Sequence, residues 1–163
     1  RKGHAQTLAA FESLWREALD VQLILVGKQG WMVEALVEQL RHHPERGRRL
    51  HWLETIGDEA LDQLYGKASC LIAASEGEGF GLPLIEAAQH CLPILARDLP
   101  VFREVAGDHA TYFSGAGPED LAGPVRAWLQ LYQQGRQPRS DGMGWLTWRQ
   151  SADALARCLP LAG

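Results

Sequence analysis

Short apolar runs alternate with amphipathic helical segments along most of this chain, and this alternation constrains the possible fold more than any other feature of the sequence. Such runs are typical of parallel strands covered on both faces, and they occur at VQLILVG (21–27), RLHWLE (49–54), SCLIAAS (69–75), PILAR (93–97) and TYFSG (111–115). Strands that alternate with helices in one domain favour an α/β fold with a Rossmann-like, doubly wound parallel sheet. Ligands of such sheets bind beyond the carboxyl ends of the strands.

The segments between these strands have helical periodicity or helical start signals. In the first of them, Leu8, Phe11, Leu14 and Trp15 recur at the spacing of one buried helix face. Asp58 suits the start of a later helix as a capping residue. Helices are predicted over about 4–19, 30–43, 58–65, 83–90, 101–106, 118–134 and 145–159, with a polar linker at 134–144.

Composition and charge narrow the class of protein. The chain has 163 residues, of which 46% are hydrophobic and 22% charged, which is typical of one soluble globular domain. Its apolar runs are all far shorter than the roughly 20 residues that a transmembrane helix needs. The formal net charge of −4 argues against a nucleic-acid partner, and the locally basic RHHPERGRR (41–49) is expected to be a solvated loop.

The three cysteines and the first residues complete this general description. Cys70, Cys91 and Cys158 have no metal-ligand spacing and lie in apolar segments, so they are expected to be small core residues in a reducing compartment. The chain begins with RKGHAQTLAAF, without an initiator methionine or a signal-peptide pattern. We therefore expect a fragment of a longer protein.

A glycine-rich turn, EGEGFGLP (76–83), follows the third predicted strand at the edge where ligands bind. Gly77, Gly79 and Gly81 are expected to let the backbone adopt positive φ and approach a ligand, and Pro83 suits the first turn of a helix. The backbone N–H groups of residues 80–82 would then lie at the positive end of the helix dipole. This arrangement predicts an anion site suited to phosphate.

Two glutamates flank the predicted anion site. Glu86 lies about one turn beyond Pro83, too far inside the helix to act as a cap, and a carboxylate there could accept hydrogen bonds from the two hydroxyls of a ribose. Glu78, in the turn itself, would face whatever hangs from the distal phosphate. The spacing alone also fits an ordinary glycine-rich turn with Glu78 as a solvated residue. Because the turn lacks the G-x-G-x-x-G pattern, a nicotinamide cofactor is disfavoured.

These residues resemble the family 4 glycosyltransferases, which have the two-domain GT-B architecture. EGFGLPLIE (78–86) is similar to the E-x7-E motif of that family, and RKGHAQTLAAF, LILVGKQG, DEALDQLYGKASCLIAASEGEGFGLPLIEAA and PVFREVAGDHATYF follow in the family's order. The resemblance covers most of the chain and identifies it as the carboxy-terminal, donor-binding half of a GT-B fold. One departure is Cys91, where many relatives have glycine.

The resemblance implies a role for each matching residue. Lys2 would contact the donor diphosphate, Glu78 would contact the donor sugar, and Glu86 would bind the ribose. The backbone of Gly79, Phe80, Gly81 and Leu82 would hold the diphosphate and the sugar, and the loop from Leu53 to Ile56 would lie near the nucleobase. Arg1 does not stand at the position of the arginine that the family carries before this lysine.

The resemblance also implies an activity. A retaining glycosyltransferase transfers a sugar from a nucleotide diphospho-sugar to a glycan or glycolipid hydroxyl, and LPILARDLPVFREVAG is similar to bacterial mannosyltransferases of O-antigen and polysaccharide assembly, which favours GDP-mannose. The implied partners are the nucleotide-sugar donor, a glycan or lipid-linked acceptor, and a missing amino-terminal GT-B domain. No cofactor or metal is expected, and the sequence has no Asp-x-Asp motif.

Two other functions remain open on this architecture: a sugar-nucleotide 2-epimerase and a non-catalytic nucleotide-sugar-binding module. As a glycosyltransferase fragment, the isolated domain is expected to bind without turnover, whereas an epimerase would show hydrolysis or epimerisation without an acceptor. The full protein is expected in the cytoplasm, and any attachment to the inner membrane face would come from the missing domain or from acceptor lipids.

His90 and His109 are expected to be structural because no partner carboxylate lies at a useful spacing. Trp128, Trp145 and Trp148 are expected to pack the terminal helices.

Overall fold

The computed structural model describes residues 2–28 and 34–158. Within these residues the strands are β1 (Leu23–Val26), β2 (Leu50–Leu53), β3 (Leu71–Ala73), β4 (Ile94–Arg97) and β5 (Thr111–Phe113). The helices are α1 (His4–Arg16), α2 (Glu34–His42), α3 (Asp58–Lys67), α4 (Leu82–Gln89), α5 (Pro100–Ala106), α6 (Pro118–Gln133) and α7 (Trp148–Cys158), with a 3₁₀ turn at Gly107–His109. Each predicted element is present, although residue 30, the predicted start of α2, and residue 159, the predicted end of α7, lie outside the described residues.

All strand pairs of the described residues are parallel, which confirms the predicted α/β class. The strands hydrogen-bond in two groups, β1 with β2, and β3 with β4 and β5. One hydrophobic core joins the groups, because Leu23 and Leu50 of the first pack in the same cluster as Leu95 and Phe113 of the second. The carboxyl ends of β3, β4 and β5 lie at one edge, since neighbouring parallel strands point the same way.

Helix α1 packs on this shared core. Its apolar face buries Leu8, Phe11, Leu14 and Trp15, as the helical spacing predicts. The indole nitrogen of Trp15 donates a hydrogen bond of 2.8 Å to the carbonyl of Val21, which satisfies the one polar side-chain atom of these four residues.

Helix α6 holds α1 in place through polar contacts at both ends. The hydroxyl of Ser13 donates to Oε1 of Glu119 at 2.6 Å, and Nε of Arg126 donates to Oε2 of Glu17 at 2.7 Å. At the other end, Nε2 of Gln6 donates to the carbonyl of Gly117 at 2.7 Å. The start of α1 therefore has a defined position relative to the loop that follows β5.

The prediction that the three cysteines are core residues is wrong for two of them. Cys70 is half-buried, and burial raises the pKa of its thiol to about 12, but Cys91 and Cys158 are exposed. Cys158 lies on α7, a helix with no buried residue, and Cys91 lies in the turn that ends α4. An apolar sequence context was misleading because a turn and an unpartnered helix leave side chains in solvent.

Cys91 has the conformation that glycine adopts at many helix ends. Its φ is 54°, in the left-handed region. Its N–H donates to the carbonyl of Ala88 at 3.0 Å and the N–H of Leu92 donates to that of Ala87 at 2.9 Å, which together form a Schellman motif. Cys91 is the departure from glycine that the resemblance pointed out, and the structure has a left-handed turn there with a non-glycine residue.

Of the three tryptophans predicted to pack the terminal helices, one is buried and two are exposed. Trp128 is buried and stacks on Tyr132 with ring centroids 4.9 Å apart, as predicted for a packed terminal helix. Trp145 and Trp148 are exposed, Trp148 by 83%, so the prediction that they pack the terminal helices is wrong. Over the two described ranges, the search for a helix long and apolar enough to cross a bilayer finds none.

Candidate functional site

Glu78 and Lys2 form an ion pair at the carboxyl edge of β3. The ammonium nitrogen of Lys2 lies 2.6 Å from Oε2 of Glu78, which also lies 3.4 Å from the hydroxyl of Ser75. The other oxygen, Oε1, accepts a hydrogen bond of 3.2 Å from the N–H of Gly79. The hydrogen bond from Lys2 is the largest cause that lowers the pKa of Glu78, so the carboxylate is charged at neutral pH.

Gly3 explains how Lys2 reaches this edge. It precedes α1 with φ of 76°, and a Cβ on it would lie 2.0 Å from the carbonyl oxygen of Ala74. No other residue type fits, because any side chain would collide with the backbone at the end of β3. The close approach brings the start of α1 against the segment that leads to Glu78, a role of Gly3 that the sequence analysis missed.

The amino-terminal end of α4 is open. Gly81 caps the helix with φ of 83°, and a Cβ there would lie 3.2 Å from the ring of Phe102. Pro83 occupies the first turn, as predicted. The N–H groups of Phe80, Gly81 and Leu82 donate to no acceptor within residues 2–28 and 34–158. They therefore remain available to an anion at the positive end of the helix.

The prediction of positive φ is correct for Gly81 but wrong for Gly77 and Gly79. Neither of the latter has a left-handed backbone, and a Cβ on either would meet nothing within 4 Å. The turn reaches α4 with ordinary backbone angles until its last residue. A sequence of alternating glycines therefore marks open space here rather than required backbone conformations.

Glu86 is held from the side by Tyr65 of α3. The phenol hydroxyl donates a hydrogen bond of 2.7 Å to Oε2 of Glu86, and burial, followed by this carboxylate, raises the pKa of Tyr65. The ring of Tyr65 stacks on His90 with centroids 5.6 Å apart, and Nε2 of His90 lies 3.0 Å from Oδ1 of Asp62. The expectation that His90 lacks a partner carboxylate is therefore wrong, because α3 brings Asp62 to it.

The remaining candidates differ in their surroundings. Phe80 and Leu82 are 59% and 45% exposed, so two apolar side chains project into solvent beside Glu78. Leu53 stands apart, because it ends β2 in the other hydrogen-bonded group, where its carbonyl accepts a hydrogen bond from Gly27 at 3.0 Å. The structure thus brings together Lys2, Glu78 and the start of α4, whereas Leu53 belongs to the other hydrogen-bonded group of strands.

The sequence that forms this edge matches a known protein family. The model of the glycosyl transferases group 1 matches residues 1–142, which include every candidate named above. The chain belongs to this family. Glu78 and Glu86, the pair with the spacing E-x7-E, lie within the matched residues, in the turn and the first helical turns after β3.

Relatives of this group 1 glycosyltransferase chain are mannosyltransferases by name. It is 59% identical to the serotype-specific mannosyltransferase WbdA of Escherichia coli over 161 residues, which cover 99% of this chain and 20% of that protein. It is 35% identical to the O-antigen chain mannosyltransferase B of Escherichia coli over 112 residues, 66% of this chain and 28% of that protein. The chain thus spans about a fifth of the length of the first of these relatives.

Solved structures share the fold. The carboxy-terminal domain of the group 1 glycosyl transferase LpcC from Francisella tularensis matches with a TM-score of 0.71 at 14% identity, over 96% of this chain and 78% of that one. Anabaena HepE in complex with UDP and glucose matches with a TM-score of 0.68 at 19% identity, over 86% of this chain and 38% of that one. At these identities the likeness establishes the fold alone.

Proposed function

We propose that this chain is the donor-binding domain of a retaining glycosyltransferase that transfers mannose from GDP-mannose to a hydroxyl of a glycan or a lipid-linked glycan. The observation that carries the proposal is the ion pair of Lys2 with Glu78 beside three N–H groups at the start of α4 that find no acceptor in the part of the chain the structure describes. The mannosyltransferase names of the relatives support the choice of sugar. The choice of GDP as the nucleotide rests on the resemblance of LPILARDLPVFREVAG to bacterial mannosyltransferases.

The diphosphate is assigned to the positive end of this edge. Lys2 supplies a point charge, and the N–H groups of residues 80–82 supply directed donors. As the bond from sugar to phosphate breaks, negative charge develops on the departing diphosphate, and donors fixed in advance stabilise it without reorganisation. Lys2 already lies in contact with a carboxylate, so a bound diphosphate offers its ammonium group a second anionic partner.

Glu78 is assigned to the donor sugar. Its carboxylate keeps its negative charge because the Lys2 ammonium and the Gly79 N–H both favour the charged form. A charged carboxylate accepts hydrogen bonds from sugar hydroxyls strongly. The exposed rings and methyl groups of Phe80 and Leu82 border the same space.

Glu86 is assigned to the ribose of the nucleotide. Oε2 of Glu86 accepts one hydrogen bond from Tyr65, and a carboxylate can accept about four hydrogen bonds in all. The remaining capacity suits two neighbouring hydroxyls. The base is assigned to the loop from Leu53 to Ile56, which offers no side chain specific for guanine.

The rest of the enzyme is assigned to an amino-terminal GT-B domain, which would carry the acceptor site. Without that amino-terminal domain, the present chain binds the donor but does not turn it over. We place the full enzyme in the cytoplasm, at the inner membrane face through that domain or a lipid acceptor. No metal is needed for the charge stabilisation proposed, so activity of the full-length enzyme is expected to survive chelation by EDTA, and its loss would contradict this part.

The direct test is a set of ligand-observed NMR titrations of GDP, UDP and ADP against the chain. Selective GDP binding is expected, with loss in Glu86→Ala and retention in the control Glu104→Ala, whose exposed side chain makes no hydrogen bond in the described residues. Binding of no nucleotide by this chain and by the longer protein would overturn the proposal. With the full-length protein, mannosyl transfer to an acceptor separates a transferase from an epimerase, which acts without acceptor, and from a module that only binds.

A further inference from the structure

A buried arginine lies beneath the site, and neither the motif nor the proposed mechanism uses it. Arg97 ends β4 and is only 8% exposed. Its Nε donates to the carbonyls of Ala74 and Ser75 at 3.2 and 3.0 Å. Its terminal nitrogens donate to the carbonyl of Gly115, to the carbonyl of Ala74 and to the side-chain oxygen of Gln6.

All of these acceptors are neutral. Within residues 2–28 and 34–158, Arg97 forms no ion pair with a carboxylate, and its other close neighbour is the ring of Phe113, 5.0 Å from the guanidinium carbon. A buried charge with neutral partners is costly, because carbonyl dipoles replace only part of the solvation by water. An anion bound nearby would be stabilised by this charge and would in turn balance it.

The partners of Arg97 are the segments that build the site. The carbonyl of Ala74, which accepts two of its hydrogen bonds, is the oxygen against which Gly3 packs beside Lys2. The hydroxyl of Ser75 contacts Glu78. One guanidinium therefore links the end of β3 with the start of α1 through Gln6 and with the loop after β5 through Gly115, whose φ is 95°.

We propose that Arg97 is a positioning residue of the donor site, which holds the Lys2 and Glu78 segments together and favours a nucleoside diphosphate through its unbalanced positive charge. The inference rests on the proposed function. It assigns to Arg97 two separable effects. The three nitrogens of its planar guanidinium form a hydrogen-bonding fork, which sets the geometry for any ligand at this edge. Its charge acts on the phosphates alone.

Two substitutions separate these effects. Arg97→Met removes both fork and charge, so GDP affinity is expected to fall by about tenfold or more, and GMP affinity by less, because a diphosphate carries more charge than a monophosphate. Arg97→Lys keeps the charge without the planar fork, so the affinities for both nucleotides are expected to fall while their ratio stays near that of the unchanged chain. Arg103→Met is the matched control, since Arg103 is exposed and pairs with Asp98 at 2.7 Å.

The experiment measures the dissociation constants of GDP and GMP by ligand-observed NMR, with an amide spectrum of each variant to establish folding. A reduced ratio of GDP to GMP affinity in Arg97→Met alone supports the inference. Unchanged GDP affinity in Arg97→Met overturns it, and so does an equal loss for both nucleotides. If Arg97→Met does not fold, Arg97→Lys decides by whether GDP affinity falls. Failure of the unchanged chain to bind GDP is a different result, because it refutes the proposed function first.

Discussion

The ammonium nitrogen of Lys2 lies 2.6 Å from a carboxylate oxygen of Glu78, although 76 positions separate the two residues in the chain. The contact exists because Gly3 lets α1 begin against the backbone of Ala74 and because β3 delivers Glu78 to the same edge. The cation proposed for the diphosphate and the carboxylate proposed for the sugar thus form an ion pair with each other.

Substitution Lys2→Met is expected to raise the pKa of Glu78 towards its ordinary value of 4.5, because the hydrogen bond from Lys2 is the largest cause of the lowered value. Since the folded pKa is below that of the unfolded chain, the contact stabilises the fold above the unfolded pKa, and this contribution is lost as pH falls through the folded pKa. NMR titration of the Glu78 carboxyl carbon measures the shift. Lys67→Met, at the exposed end of α3, is the control, and an identical Glu78 titration in all three chains would contradict the prediction.

Substitution Gly3→Ala is expected to destabilise the chain by at least about 2 kcal/mol, since the left-handed backbone and the collision with Ala74 both act against a Cβ. Chemical denaturation gives the change in the free energy of unfolding. Gly77→Ala serves as control, because its Cβ would meet nothing within 4 Å and its backbone is not left-handed. Equal denaturation midpoints for the two variants would show that α1 does not begin against β3 in this way.

Substitution Cys91→Gly is expected to stabilise the chain by about 0.5–1 kcal/mol, because relief of the left-handed strain exceeds the added entropy of the unfolded state. The same reasoning applies to Ala18, which has φ of 61° at the end of α1. Thermal unfolding measures both. Cys91→Ala removes the thiol but keeps the Cβ, so its melting temperature is expected to stay close to that of the unchanged chain, and a gain equal to that of Cys91→Gly would point to the thiol instead.

Substitution Tyr65→Phe is expected to weaken GDP binding by roughly threefold to tenfold, because Glu86 loses the hydrogen bond that orients its carboxylate. Tyr112→Phe is the matched control, since that hydroxyl donates to the carbonyls of Phe102 and Gly107 and touches no carboxylate. Isothermal titration or ligand-observed NMR gives both affinities. An unchanged affinity in Tyr65→Phe would mean that Glu86 is oriented without Tyr65 or does not contact the nucleotide.

The elements that sequence predicts well here are those whose pattern is local. The apolar spacing of Leu8, Phe11 and Leu14 specifies the buried face of α1, and Pro83 marks the start of α4 within one residue. The site edge was predictable for the same reason, since parallel strands carry their carboxyl ends to one side. The division of the strands into two hydrogen-bonded groups was not, because it depends on how the helices pack on strands of three or four residues.

The residues that sequence reasoning missed are recognised only by their partners. Tyr65 binds Glu86 from 21 positions away, and Arg97 binds Ala74 from 23 positions away, with no periodic signal in either case. His90 and Asp62 meet for the same reason, across the α3 and α4 packing. Steric roles were predicted unevenly: the need for glycine at position 81 was expected, whereas the closer approach at Gly3 requires the coordinates of Ala74.

The packing of α1 on α6 has a consequence for biosynthesis. Ser13 and Glu119 are 106 residues apart, and Glu17 and Arg126 are 109 apart, so α1 completes these contacts only after the chain has been synthesised as far as α6. At a synthesis rate of about 5–20 residues per second, α1 waits several seconds for the α6 part of its packing. During that interval the part of the apolar face of α1 that α6 covers is exposed, the kind of surface that chaperones bind.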